Sequence, residues 1–293
     1  MTELFIQQPW LAYGAVGLFG LIVGSFLNVV ILRLPVMMEA QWRASAAEIL
    51  GQPATQADTV RVNLSQPRSR CVHCHTPIRI RDNIPLFSYL LLGGRCAHCR
   101  GRISPQYPAV EMASCMMAVL VAWRFGASPF MPAALVLSWM LLALAMIDWR
   151  TQFLPDALTL PLIWLGLLLS LGHGMGLARI DPATAIVGAT AGYLVLWGVF
   201  QLFLLLTGKE GMGYGDFKLL AALGAWLGWQ ALPMILLMAS LGGALFGGVL
   251  MALGLLERGK PMPFGPWLAL AGWLTLIAGD TILSAYLSIS GLR

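Results

Sequence analysis

Two aspartates stand at the ends of apolar segments, where a carboxylate is costly to keep. Asp148 follows an apolar run, Met131 to Ile147, and Asp216 precedes another, Phe217 to Trp229. Carboxylates within membrane segments are rare and usually functional. Asp148 also lies at the C-terminal end of its predicted helix, where the helix dipole disfavours a negative charge. These two side chains are therefore the first candidates for chemistry.

Two carboxylates that lie close together can activate a water molecule. They resist ionising together, so the pair holds one proton. One carboxylate takes a proton from the water, which attacks a peptide carbonyl, while the other donates a proton to the carbonyl oxygen. We therefore predict an intramembrane aspartyl protease with Asp148 and Asp216 as the catalytic pair. A metalloprotease is not expected, because the sequence has no His-Glu-x-x-His motif.

Glycines at positions 211, 213 and 215 leave the backbone before the second aspartate uncovered. Another chain could lie closely against such a stretch. The residues predicted to bind or support the substrate are Asn28, Gly213, Tyr214, Gly215 and Lys218. Asn28 lies inside the first apolar segment, and a plain helix–helix hydrogen bond is the alternative role for its amide.

The composition is that of a membrane protein, with 58% apolar and 11% charged residues. A soluble domain carries about 25% charged residues. Apolar stretches of roughly 17–25 residues predict an all-α polytopic fold with about eight transmembrane helices in the lipid bilayer. The predicted spans are residues 10–32, 108–123, 131–147, 157–173, 185–206, 217–229, 232–255 and 266–288.

The sixth predicted span, residues 217–229, is too short to cross the hydrocarbon core. Either its helix extends through residues 230–231, or it begins below the membrane boundary. The second alternative would place Asp216 within the plane of the membrane, beside irregular backbone that lines a wet cavity.

The basic residues predict the orientation of the chain in the membrane. With Lys218 counted in the loop beside it, all but three of the 18 Lys and Arg residues fall on one side. The exceptions are Arg124, Arg179 and Arg293. By the positive-inside rule, the termini face outward, and the large loop and both aspartates face the cytoplasm. The net charge of +5 thus reflects topology, and we expect no nucleic-acid binding. Asp280 is expected at the outer interface.

Three regions follow from this topology. Residues 1–35 are the first transmembrane helix, residues 36–106 a cytoplasmic tetracysteine domain, and residues 107–293 a seven-helix membrane protease domain. Within the second region, residues 38–50 are predicted to form an amphipathic helix lying on the membrane, separate from the first span.

Two cysteine pairs, Cys71 with Cys74 and Cys96 with Cys99, are separated by 21 residues. Each pair can supply two thiolates from one turn, which predicts a tetrahedral Zn²⁺ site. A redox or disulfide role is the alternative, and the cytoplasmic location disfavours it. The histidines at 73, 75 and 98 could each replace a thiolate, but we expect them to be exposed neighbours. A small domain with little apolar content needs such a metal site to fold.

Several other polar residues have simple structural explanations. Asp156 is predicted to cap the fourth span, and Cys115 to pack inside the second. Glu111, near the start of the second span, suits the helix dipole. Asp82 precedes a proline in a turn-forming stretch.

Taken together, these residues resemble the type IV prepilin peptidases, bacterial inner-membrane enzymes of the GxGD aspartyl class. The resemblance runs almost the full length of the chain. It rests on residues 24–28 with 33–35, the four cysteines, residues 82–85, residues 107–108 with Glu111, Asp148 with residues 155–156, residues 213–218 and residues 263–266. Val72 departs from the pattern, since a proline is usual there.

The resemblance implies two activities. One is cleavage of the short basic leader of prepilins and secretion pseudopilins after its terminal Gly. The other is methylation of the new N-terminal residue, commonly Phe, with S-adenosylmethionine as donor. Asp148 and Asp216 match the catalytic pair of the family. Members without the cysteines are generally peptidases only, so the cysteine loop favours a bifunctional enzyme. No motif marks the methyl-donor site, which we expect at Asp82, Gly94 and Glu111.

Other classes of function remain as alternatives. They are a peptidase without methylation, a transporter that depends on intramembrane carboxylates, and a zinc-ribbon membrane scaffold. A transporter should carry acidic residues along a path across the membrane, whereas a scaffold would tolerate loss of both aspartates. The sequence does not indicate an oligomeric state.

Overall fold

The protein is helical throughout the residues that the computed structural model describes, which are 7–51, 63–209, 211–255 and 262–289, with side chains through 282. Within these ranges there is no strand, only two isolated β-bridges near the cysteines. The helices are α1 (Pro9–Ile49), α2 (Phe87–Leu91), α3 (Gln106–Phe125), α4 (Met131–Thr151), α5 (Asp156–Ser170), α6 (Pro182–Thr207), α7 (Tyr214–Leu227), α8 (Leu232–Ala252) and α9 (Gly265–Ile289). The predicted all-α class is confirmed.

A helix lies over each of the predicted spans, and several are long and apolar enough to cross a membrane. Five helical segments meet that requirement: Pro9–Ile49, Gln106–Phe125, Met131–Thr151, Pro182–Thr207 and Trp229–Ala252. The apolar helix Asp156–Ser170 is shorter. The chain is therefore a multi-pass membrane protein, and the count of about eight spans stays a prediction.

Helix α1 is longer than predicted. It runs without interruption through Pro35 to Ile49, so the prediction of a separate amphipathic helix over residues 38–50 is wrong. A proline inside a helix forfeits one backbone hydrogen bond, but the residues after it are mostly good helix formers such as Ala, Met, Glu and Gln. Propagation of the existing helix is then favoured over a new start.

Residues 3–119 and 120–293 form two compact units. The predicted boundary at residue 35 falls inside α1, and the three-region division stays a prediction.

In the first unit, α1 and α3 pack through small residues. A Cβ on Gly20 would lie 2.9 Å from the Cβ of Ala118, and one on Gly24 would lie 2.7 Å from the Cα of Glu111. The Ser114 hydroxyl donates to the Gly20 carbonyl at 2.6 Å. Such close approach is typical of helices that associate in membranes. Cys115 lies in the same contact, which confirms its packing role: its sulfur is 3.3 Å from where Gly17 would carry a Cβ.

In the second unit, α7 is the buried centre, and α5, α6 and α9 pack around it. From Phe217 to Trp226 every residue except Lys218 is buried. Helices α6 and α7 meet main chain to main chain, since a Cβ on Gly224 would lie 2.1 Å from the carbonyl oxygen of Gly188.

Helix α7 is 14 residues long, a rise of about 21 Å. Gly228, with φ of +85°, ends it, and residues Trp229–Ala231 form a 3₁₀ turn. The alternative in which this span continues through residues 230–231 as the same helix is therefore wrong.

Three residues predicted on the outer side meet in the second unit. The Asp280 carboxylate pairs with Arg124 at 3.0 Å and with Arg179 at 3.1 Å. Arg124 also donates from Nε to the carbonyl of Ile277 at 2.9 Å, next to a kink at Ala278 in α9. Their meeting supports the assignment of all three to one side, and the orientation of that side remains a prediction.

Candidate active site and metal centre

Asp148 lies in the last turn of α4 and is 5% exposed. Its Oδ2 accepts a hydrogen bond from the backbone N–H of Gly265 at 3.0 Å. Gly265 is the first residue of α9, so the positive end of that helix faces the carboxylate. A helix N-terminus favours a negative charge, which offsets the unfavourable dipole of α4.

Gly265 has no room for a side chain. A Cβ there would lie 2.6 Å from Asp148 Oδ2 and 3.1 Å from Leu154 Cδ1. No role in the site was predicted for residues 263–266, although they match the family pattern. The available signal was a glycine directly before Pro266, at the predicted start of a span.

Asp216 lies in the first turn of α7 and is 8% exposed. Its backbone N–H donates to the Gly213 carbonyl at 3.2 Å. Its Oδ1 is buried and has no hydrogen-bond partner among the described residues. The Asp148 carboxylate is close enough for its charge to act on Asp216, and α9 packs against both acid-bearing helices. The structure thus brings the two predicted acids together.

The two glycines flanking Tyr214 have different surroundings. A Cβ on Gly215 would lie 2.6 Å from the Cβ of Leu154, whereas one on Gly213 would meet no atom within 4 Å. Gly215 is therefore needed for packing inside the chain, and Gly213 leaves open space. Tyr214 is 56% exposed, and its ring contacts Phe217 at 5.4 Å between centroids.

Lys218 is held by Asp156, with its Nζ 2.6 and 2.8 Å from the two carboxylate oxygens. The predicted capping role of Asp156 is wrong: Pro155 is the N-cap residue of α5, Asp156 is the first helical residue, and no side-chain cap bond forms. The Asp156 carboxylate instead forms the ion pair with Lys218. Its negative charge in the first turn still suits the dipole of α5.

The predicted helix–helix hydrogen bond of Asn28 is present. The amide nitrogen donates to the Tyr107 carbonyl of α3 at 3.1 Å and to the Gly24 carbonyl at 3.3 Å. The amide oxygen is buried and finds no partner among the described residues. Asn28 belongs to the first unit, and its role in substrate binding stays a prediction.

The four cysteines of the first unit form one cluster, with all Sγ atoms within 4.8 Å of one another. The Sγ atoms of Cys71 and Cys99 are 3.8 Å apart. A tetrahedral zinc site with Zn–S bonds of about 2.3 Å has sulfur–sulfur edges of about 3.8 Å. The cluster could therefore hold Zn²⁺ without rearrangement of the chain.

The two cysteine pairs adopt the same local structure. His75 donates from its backbone to the Cys71 carbonyl, and Arg100 to the Cys96 carbonyl, each at 3.0 Å. His75 and Arg100 both have positive φ, 54° and 59°. In each pair the amide two residues after the first cysteine donates to its sulfur at 3.4 Å. Such N–H···S bonds orient thiolate ligands.

The cysteines differ in acidity when no cation is present. Hydrogen bonds from the hydroxyl and backbone of Thr76 lower the pKa of Cys74 to about 6, and backbone donation from Cys99 lowers the pKa of Cys96. A hydrogen bond from the Gly101 backbone lowers the pKa of Cys99. Desolvation and the neighbouring thiols outweigh it and raise that pKa to about 11. Four thiolates at these distances need a cation between them.

The histidines beside the cysteines are exposed, as predicted. The Nε2 of His73 lies 3.3 Å from the Arg102 carbonyl oxygen, which connects the two cysteine pairs. Four sulfurs already provide a complete ligand set.

Glu111 is buried, and its carboxylate is occupied. It accepts from the backbone N–H of Leu86 at 2.7 Å and from the Ser25 side chain. Leu86 has φ of +59°, an uncommon conformation for a leucine. Glu111 therefore fixes the segment before α2 to the membrane helices.

The other residues predicted for the methyl donor have local contacts. Asp82 pairs loosely with Arg81 at 3.8 Å. Gly94 has φ of +68°, and the Tyr89 hydroxyl lies 3.0 Å from where its Cβ would be. The methyl-donor site stays a prediction.

Comparison with known proteins identifies relatives along nearly the full chain. A family model described as "Bacterial Peptidase A24 N-terminal domain" matches residues 18–125, and one described as "Type IV leader peptidase family" matches residues 135–248. A protein named "Prepilin leader peptidase/N-methyltransferase" from Aeromonas salmonicida is 51% identical over 289 residues, which cover 98% of each chain. Proteins of the same name from Pseudomonas aeruginosa and Neisseria gonorrhoeae are 52% identical over 277 residues and 45% identical over 285 residues. These alignments cover 94% and 93% of the two chains in the first case, and 97% and 96% in the second. No solved structure matches the chain.

Proposed function

Because the chain belongs to the type IV leader peptidase family, we propose that it cleaves the leader of prepilins and pseudopilins and methylates the new N-terminal residue. The names of relatives about half identical over almost the whole chain support both activities. The observation that carries the peptidase activity is the meeting of two buried carboxylates, Asp148 and Asp216.

In the proposed cleavage, the acid pair shares one proton and a water molecule lies between the acids and the substrate. The ionised carboxylate takes a proton from the water, and the water oxygen attacks the carbonyl carbon of the leader Gly. The protonated carboxylate donates to the carbonyl oxygen. Collapse of the tetrahedral intermediate breaks the C–N bond, and the leaving amine takes the proton that the first carboxylate removed from the water. No covalent enzyme intermediate forms.

Gly265 is the proposed positioning residue for this chemistry. Its N–H fixes Oδ2 of Asp148, so the other oxygen of that carboxylate remains available to water. The orphaned Oδ1 of Asp216 supports a substrate or water contact at this acid, because buried polar atoms normally have partners.

The substrate is proposed to lie along the open side of Gly213 and the exposed ring of Tyr214, with Gly215 and Lys218 supporting that stretch from within. The short α7 supports a site below the membrane boundary on the cytoplasmic side. We place the protein in the bacterial inner membrane with its termini in the periplasm.

We propose that Cys71, Cys74, Cys96 and Cys99 hold a structural Zn²⁺, which supplies folding energy to the loop and no catalytic step. S-adenosylmethionine is the proposed methyl donor, with Asp82, Gly94 and Glu111 as the residues to test. Glu111 can serve it only if its bonds to Leu86 and Ser25 are compatible with the ligand.

One assay tests both activities. Purified protein is incubated with a prepilin peptide and labelled S-adenosylmethionine, and a second peptide that is already cleaved reports methylation alone. We expect Asp148→Asn and Asp216→Asn to abolish cleavage while methylation of the cleaved peptide continues. Asp280→Asn, an aspartate in the outer cluster, is the matched control and should cleave normally. Full cleavage by either acid variant would overturn the mechanism.

The same assay separates the rival functions. A scaffold would show neither activity in the wild-type protein. A transporter would instead show ion or solute flux in vesicles that depends on the two aspartates.

A further inference from the structure

The segment between the two cysteine pairs exposes apolar side chains and buries a polar one. Phe87, Leu90 and Leu91 of α2 are 56%, 65% and 87% exposed, and Ile84 just before them is 49% exposed. Ser88, in contrast, is 7% exposed. In contact with water, apolar side chains are usually buried and polar ones exposed, so this arrangement is reversed. It indicates that the medium facing α2 is apolar.

The hydrogen bonds of Ser88 fix this orientation. Its hydroxyl accepts from the backbone N–H of Ile84 at 2.9 Å and donates to the Arg81 carbonyl at 2.8 Å. On the helix, Phe87, Leu90 and Leu91 are spaced i, i+3 and i+4, so they share one face. These three side chains therefore form a single patch, defined here as the α2 patch: Phe87, Leu90 and Leu91.

The α2 patch is tied to helices that are able to cross the membrane. The Leu86 N–H, one residue before α2, donates to Glu111 near the start of α3 at 2.7 Å. Glu111 also bonds Ser25 of α1. Both α1 and α3 are candidate membrane spans. Because the tether is near the start of α3, the patch lies close to the end at which that helix would enter the bilayer.

The charge of the segment that carries the patch matches a membrane surface. Residues 63–105 contain a single acidic residue, Asp82, and seven arginines that are all exposed: Arg68, Arg70, Arg79, Arg81, Arg95, Arg100 and Arg102. Exposed basic residues beside apolar ones are typical of segments that lie in the headgroup region of anionic lipids.

We propose that the α2 patch inserts into the interface of the same bilayer that α1 and α3 cross, with the arginines of the same segment on anionic lipid headgroups. The cysteine pairs then lie outside the hydrocarbon region, so that only the α2 patch reaches the acyl chains. This inference does not depend on the proposed enzymatic activities.

The test places a photoreactive diazirine amino acid at position 91 of the full-length protein in vesicles of phosphatidylethanolamine and phosphatidylglycerol. Position 72 is the matched control, because Val72 is also apolar and 70% exposed but belongs to a cysteine pair. We expect lipid adducts several-fold more abundant at position 91 than at position 72. Equal yields, or adducts at position 91 only with protein, would overturn the proposal. If the position 91 variant fails to insert, position 90 serves in its place.

The lipid headgroup arm tests the charge contribution. Replacing phosphatidylglycerol with phosphatidylcholine should lower the adduct yield at position 91, because the arginines lose their anionic partners. An unchanged yield would refute the role of the arginines. Addition of an uncleaved prepilin peptide should not displace the lipid adducts, whereas displacement would identify the patch as a substrate surface instead.

Discussion

Replacement of Gly265 by alanine should disable the acid pair without unfolding the protein. The new Cβ would lie 2.6 Å from Asp148 Oδ2, closer than real Cβ contacts allow, so the carboxylate and the start of α9 must move apart. The 3.0 Å hydrogen bond from Gly265 to that oxygen is then lost. Asp148 would lose both its anchor and the positive end of α9.

The expected loss of activity follows from that hydrogen bond. A hydrogen bond to a charged group contributes about 1.5–3 kcal/mol, and each 1.36 kcal/mol changes a rate tenfold. Cleavage should therefore fall roughly ten- to a hundredfold. Displacement of a reacting group by about 1 Å can cost a similar factor. The loss should appear in the rate constant for cleavage of bound peptide more than in peptide affinity, because the peptide-binding residues are untouched.

The assay is single-turnover cleavage of a prepilin peptide by purified protein, with methylation of a cleaved peptide as the measure of folded enzyme. Gly272→Ala is the control on the same helix, where the new Cβ would meet the flexible Leu223 side chain at 2.3 Å and not an acid. It should cleave normally per folded molecule. Wild-type cleavage by Gly265→Ala, or an equal loss in both variants, would refute the reasoning.

The remaining predictions concern the metal, the packing and the surface. Cys71→Ser should lower bound zinc measured by metal analysis and expose the remaining thiols to alkylation, and a zinc-free wild-type protein would contradict the site. Gly224→Ala should destabilise the protein by at least about 1–3 kcal/mol, because the new Cβ meets the backbone of Gly188. A thermal melt in detergent would detect this loss. Gly198→Ala, with no atom within 4 Å of its Cβ, is the control and should melt near the wild-type temperature. Asp156→Asn should cost no more than about 1 kcal/mol, since its side chain is 50% exposed, and a large stability loss would show that its pair with Lys218 holds α5 to α7.

The sequence allowed prediction of the features that have a short-range or compositional signal. Span positions followed from the length of apolar runs, and the cysteine cluster from two identical spacings. The meeting of Asp148 and Asp216, 68 residues apart by their numbers, could be proposed only because both stand at the ends of apolar segments on one predicted side. Their scaffold, α9 packed on both helices, has no such signal.

Other features depended on tertiary partners that no local pattern reveals. Asp156 looks like a cap in the sequence, but Lys218 from a later helix takes its carboxylate. Glu111 looks like a dipole partner, and its actual partner is the backbone of Leu86. Pro35 suggested a helix end, yet the helix formers after it carry α1 onward to Ile49.

The contact between Gly188 and Gly224 has a consequence for how the enzyme accommodates a substrate. Gly188 and Gly224 meet with carbonyl against Cα and no side chain between them. Sliding or rotation of α7 on α6 would therefore cause steric conflict, and we expect Asp216 to keep its position when a peptide binds. We expect the adjustments that admit a peptide to occur on the open side of the site, at Gly213 and the exposed ring of Tyr214. Asp216 would thus be the fixed part of the catalytic centre, and the substrate-facing residues the part that adjusts.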